Sequence, residues 1–143
     1  MKREEVAIYR EIQKNAEMAI TTLDTISDKV YDDTFALQIA RESLKYSDIR
    51  NKVVDKILQG KAEPYNSNFL TGLMIKSGIH INTALNTSTS HIADLLIRKS
   101  NRGIIDMCKL LNRYPELKGQ AMEMAKEFID FEEKNIERLK KYL

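Results

Sequence analysis

The chain has 143 residues, 43% of them hydrophobic, and carries 23 Lys and Arg against 21 Asp and Glu for a formal charge of +2. That length supports one hydrophobic core and not two comfortable ones, and the near balance of charge supplies no broad field of the kind that holds nucleic acid non-specifically. Only five Gly and two Pro interrupt a sequence rich in helix formers, which points to an all-α fold.

No apolar run approaches the roughly 20 residues that span a bilayer. The opening Met1-Lys2-Arg3-Glu4-Glu5 leads into no apolar signal segment, and the single Cys108 cannot close an intramolecular disulfide. A cytoplasmic protein without membrane insertion is therefore expected.

The first helix is expected over about residues 2–26, where Tyr9, Ile12, Ala16, Ala19, Leu23 and Ile26 recur at spacings of three and four. Ser27-Asp28 reads as the cap of a second helix over about 29–59. Phe35, Ile39, Tyr46, Ile49, Val53 and Ile57 mark its inner face, and Gly60 marks its end. A loop containing Pro64 follows, then a shorter helix expected over 68–85. The next helix spans 89–112 with Ala93, Leu96, Ser100, Gly103, Met107 and Leu111 inward, and Pro115 is expected to open a last helix over 115–142.

Two of the three connections between long helices are short, so those pairs are antiparallel neighbours. The middle one, about 28 residues with its own helix, is long enough to carry the chain back along the bundle and set the second and third long helices parallel. A single domain, 1–143, results.

Projecting each helix at about 100° per residue asks which polar side chains must face inward. On the second helix Glu42 occupies a core slot between Ile39 and Tyr46. On the last helix Glu132 lies at the edge of a stripe formed by Leu117, Ala121, Met124, Phe128, Phe131, Asn135, Leu139 and Tyr142. The first helix offers no inward acid, only Asn15 and Thr22 near its edge. The third offers small residues in its middle, leaving room for a large neighbour such as Tyr46. A buried carboxyl needs a partner or takes up a proton, and Arg50, two turns from Glu42, is the candidate cation.

The bundle order, the crossover and the C-terminal half from Gly72 to Leu143 resemble small bacterial ferritin-like proteins. The resemblance implies a four-helix bundle with a long crossover and, in metal-binding members, Glu-x-x-His on two helices with a single Glu on two others around a di-iron or di-manganese centre. Here Glu42-Ser43-Leu44-Lys45 and Glu132-Glu133-Lys134-Asn135 stand where such motifs fall, with Lys45 and Asn135 in the histidine positions. A degenerate site of Glu42, Glu132 and Asn135 is expected, serving as a polar layer that fixes helix register. The competing reading is an iron or manganese carboxylate protein of oxidase or iron-handling type.

His91 is expected on the outward face of the third long helix and His80 on the flank of the crossover helix, neither able to reach Glu42. Cys108 reads as a small apolar side chain with no group poised to activate it. Glycine-rich phosphate loops, Cys-x-x-Cys pairs and serine-nucleophile motifs are absent from the sequence.

Two surfaces invite partners. His91, Arg98, Arg102, Lys109 and Arg113 form a basic stripe that could engage an acidic protein, unless acids such as Glu123 and Glu127 neutralise it. Leu37, Ala40, Leu44 and Leu58 form a second apolar line on the second helix, to be covered by the crossover helix or by a second subunit in a homodimer. The sequence thus favours a non-catalytic structural or interaction protein that self-associates.

Overall fold

The computed structural model describes residues 1–66 and 88–143, so the helix expected over 68–85, with His80, lies outside the described residues. Among these residues four long helices occur and no strand: α1 (Arg3–Ile26), α2 (Asp33–Gln59), α3 (Thr89–Arg113) and α4 (Gln120–Lys140). None is long and apolar enough to cross a membrane.

The ends of the helices follow local chemistry more closely than the apolar stripes foretell. The first helix tightens into a short 3-10 turn over Ser27–Lys29, and α2 begins only after Asp32, whose Oδ1 accepts the Phe35 N–H at 2.7 Å. The cap is therefore Asp32 and not Ser27-Asp28, because Val30 is extended and breaks the helix before Asp32.

At the other end of α2 the Ala62 N–H bonds to the Ile57 carbonyl and the Lys61 N–H to the Leu58 carbonyl, each at 3.0 Å, a Schellman arrangement. Gly60 ends the helix as expected, but the left-handed position falls on Lys61, at φ 57°. The last helix begins five residues later than Pro115. Tyr114 accepts the Leu117 N–H in a turn, and Gly119, at φ 83°, turns the chain into α4 with a backbone that an L side chain adopts only under strain.

Helix directions follow from the side chains that meet. The Met1 side chain packs against Gly60, which sets α1 and α2 antiparallel. Phe35 stacks on Tyr142 with ring centroids 4.3 Å apart, Tyr46 meets Phe131 edge-on at 4.9 Å, and Lys56 donates to Gln120 at 2.9 Å. The start of α2 thus faces the end of α4, and those helices are antiparallel too. Since α3 is joined to α4 by a tight turn, α2 and α3 run in the same direction. Residues after Gly60 already turn back: Arg10 donates to the Glu63 carbonyl at 2.7 Å, and Gln13 Oε1 accepts the Tyr65 N–H at 2.9 Å. Gln13, buried on α1, holds the departing chain against that helix, a role that its place beside the apolar stripe did not suggest.

The core contains Ile8, Ile12, Phe35, Ile57, Ile92, Met107 and Leu139, all close to fully buried. On α4 the buried line is Ala121, Ala125, Phe128, Glu132, Asn135 and Leu139, with Met124 and Phe131 at its flank. Ala121, Phe128, Asn135 and Leu139 of the expected stripe are buried, while Ala125 and Glu132 take the places expected of Met124 and Phe131. Glu132 thus lies in the core and not at the edge of the stripe.

Candidate functional site

Glu42 and Glu132 are both 3% exposed. They line one cavity of about 270 Å³, between apolar walls that include Met18, Leu23 and Leu96. Around them the bundle supplies hydrogen-bond donors. The Tyr46 hydroxyl donates to Glu132 Oε1, and the fully buried Asn135 donates from Nδ2 to the Tyr46 oxygen at 3.3 Å. Ser100, from the small-residue face of α3, lines the same cavity and acts to lower both the Glu132 carboxyl and the Tyr46 phenol. Gln38 Nε2 donates to Glu42 Oε1 at 3.3 Å across one turn of α2.

Gly103, one turn beyond Ser100, faces Asn15 and Glu132: a Cβ there would stand in ordinary contact, 3.4 Å from Asn15 Oδ1 and 3.5 Å from Glu132 Oε2. The space expected on α3 is thus shared by Tyr46, Glu132 and Asn15.

Burial dominates the electrostatics. Desolvation raises the Glu132 carboxyl to about 7, and the neighbouring Glu42 charge pushes the same way, while the Tyr46 and Ser100 hydrogen bonds oppose it. Glu42 is raised to about 7, again chiefly by burial, with Gln38, Arg138 and Lys45 pulling it down. Tyr46 is pushed well above its ordinary value, first by burial and then by Glu132, so its phenol keeps its proton and remains a donor. Lys99, on the cavity wall, is lowered by burial. The pair of acids therefore sits at the edge of ionisation near neutrality, and a proton on one relieves the other.

The partner cation is not the one expected. Arg50 turns away, its Nε reaching the neighbouring Asn51 at 3.3 Å. Arg138 of α4 serves instead, its Nη1 donating to Asn135 Oδ1 at 3.3 Å while its charge lowers Glu42. Arg138 lies three residues after Asn135, one helical turn away. Inspecting that turn in the sequence would have exposed it.

Of the degenerate-site residues, Glu42, Glu132 and Asn135 come together in one layer. Lys45 does not belong to it, being exposed on the surface of α2. Tyr46, one residue further, takes the inward place. Asn135 has both amide atoms engaged, Nδ2 with Tyr46 and Oδ1 with Arg138. Helices α1 and α3 bring Asn15 and Ser100 to this region, and the further carboxylate on the cavity lining, Asp106 of α3, is paired with Arg102. Among the described residues no group of three His, Cys, Asp or Glu could hold a metal ion. These side chains do not fit a di-iron or di-manganese centre, which needs more oxygen and nitrogen donors than two acids provide.

The basic stripe on α3 is partly neutralised from within its own helix. Arg98 pairs with Asp94 and Arg102 with Asp106, each at 3.0 Å, and neither pairs with Glu123 or Glu127. His91, Lys109 and Arg113 are exposed on the same helix, and Cys108, read as a small apolar side chain, is exposed too. On α2, Leu37, Leu44 and Leu58 are exposed at 51%, 68% and 56%.

No protein-family model, curated protein or solved structure matches this chain.

Proposed function

We propose that this protein is a ferritin-like helical bundle acting as a non-catalytic interaction module that self-associates, with a proton-sharing polar layer standing where di-metal relatives hold their ions. One observation carries the reading. The donors that face Glu42 and Glu132 are the chain's own Gln38, Tyr46 and Ser100, and Asn135 closes the network behind them. A ligand set kept for a cation leaves acid oxygens open to it; here Glu132 already accepts the Tyr46 hydroxyl, and burial favours the protonated form that a metal would have to displace.

A polar layer of this kind is costly to disrupt. It serves as a register device, because sliding α4 along α2 would strand a buried carboxyl without its donor. Metal analysis of protein purified without chelator, and again after exposure to iron or manganese, tests the reading. The expected result is metal far below stoichiometric in both samples. Near-stoichiometric iron or manganese, lost in Glu42→Ala, would move the protein to the di-metal carboxylate class instead.

A further inference from the structure

We infer that the outer face of α2 is a two-fold coiled-coil seam and that its occupant is α2 of a second copy of this chain, lying antiparallel. This deepens the reading of the chain as a self-associating module by naming the surface and the partner.

Counted as a heptad from Leu37, the a positions of α2 hold Leu37, Leu44, Asn51 and Leu58, and the d positions hold Ala40, Ser47 and Val54. At 100° per residue this seam lies roughly 140° around the helix from Phe35, Ile39, Glu42 and Tyr46, the face that enters the core. Leu37, Ala40, Leu44, Asn51 and Leu58 are exposed, and Ser47 and Val54 are half-buried. A helix with an apolar line on each of two well-separated sides has two neighbours to satisfy, and among the described residues the bundle accounts for one.

The order of large and small side chains selects antiparallel pairing. In an antiparallel coil each a residue meets a d residue of the other helix. With the two-fold axis passing beside Lys45 and Tyr46, the layers become Leu44 with the partner's Ser47, Leu37 with the partner's Val54, and Asn51 with the partner's Ala40. Every long side chain then faces a shorter one, and the helices can approach closely. A parallel pairing would set Leu44 against the partner's Leu44 and Ser47 against the partner's Ser47, leaving layers of unequal width.

Charge fixes the same register. Between the Ala40 and Leu44 layers the flanking e position is Arg41, and it faces the partner's Asp48; the symmetry axis repeats the pair on the other side. Neither Arg41 nor Asp48 is held by a hydrogen bond or an ion pair within the described residues. Asn51, at an a position, adds the usual polar device for specifying a coil's alignment, at some cost in affinity. The paired layers run from residue 37 to residue 54, one helix wide and about 26 Å long, which places the dimer at the small end of specific interfaces.

Sedimentation of the full chain over a range of concentrations, with circular dichroism to confirm folding, tests the inference. The wild type should dimerise reversibly, and Leu44→Asp should be folded and monomeric throughout. Arg41→Asp and Asp48→Arg should each weaken dimerisation about tenfold or more by setting like charges opposite one another, and the double variant should regain affinity to within about threefold of wild type. Rescue by the double variant is specific to this register. A monomeric wild type, a dimer indifferent to Leu44→Asp, or a double variant as weak as the singles would each overturn the proposal. Metal content measured on the same samples separates the two readings: a metal-free monomer refutes the pairing alone, and a metal-loaded dimer refutes the core reading alone.

Discussion

Raising the pH from 5 to 8 should destabilise this fold, the reverse of ordinary acid denaturation. Glu132 and Glu42 ionise near 4.5 in an unfolded chain but near 7 in the bundle, because burial penalises the charged carboxylate. Between those values the folded state holds more protons than the unfolded state, so stability falls as pH rises. The stabilisation is fully present below about 4.5 and is lost as the pH passes through about 7. A shift of this size corresponds to roughly 3 kcal/mol for one carboxyl, and the second ionisation is opposed further by the first charge. The chain has no Trp, so urea unfolding followed by helical circular dichroism at a series of pH values is the suitable assay. Glu132→Gln keeps an oxygen to accept the Tyr46 hydroxyl but cannot ionise; it should remove about half of the slope, and Glu42→Gln together with it should leave the curve nearly flat. A wild-type stability that is constant or rises from pH 5 to 8, or a slope unchanged in Glu132→Gln, would refute the assignment of these acids as buried proton holders.

Three further changes test the packing. Phe128→Ala removes a ring that is 2% exposed at the centre of α4 and should cost about 3–5 kcal/mol in the same unfolding assay; a loss below about 1 kcal/mol would mean that this face of α4 is not core. Tyr142→Phe removes a buried hydroxyl that has no hydrogen-bond partner among the described residues while keeping the stack on Phe35, and should raise stability by about 1 kcal/mol. Lys61→Gly relieves a left-handed backbone that a side chain resists and should stabilise by about 1 kcal/mol, read as a higher urea midpoint with unchanged slope.

The inward position of Glu42 was legible because α2 keeps one unbroken three-four pattern, and a polar residue inside such a pattern has nowhere else to point. Glu132 was less so. On α4, Met124 and Phe131 compete with Ala125 and Glu132 for the same side of the helix, and apolar content alone favours the larger residues. The buried line takes Ala125 and Glu132 and leaves Met124 and Phe131 at its flank, a choice set by packing against the neighbouring helices that the pattern of α4 alone does not contain. Arg138 and Gln38 escaped for a different reason: their roles rest on atoms one turn from a buried acid, and a face-by-face projection sorts residues by direction without asking what a long side chain can reach. The cap at Asp32 and the turn before Gln120 were misplaced because Ser-Asp and Pro are permissive signals, and the chain used a nearby Asp and a left-handed Gly in their stead.

The core layer of Glu42, Glu132, Tyr46 and Asn135 is proposed to need no metal ion, and thermal melts with EDTA, and with excess iron, manganese or zinc, test that most directly. Melting curves that coincide under all of these conditions are the predicted result. A bound metal at a hundredfold excess over its dissociation constant would add about 2.7 kcal/mol, worth roughly 8 °C in a chain of this size. A rise of that order, abolished by Glu42→Gln and by Glu132→Gln alike, would contradict the account.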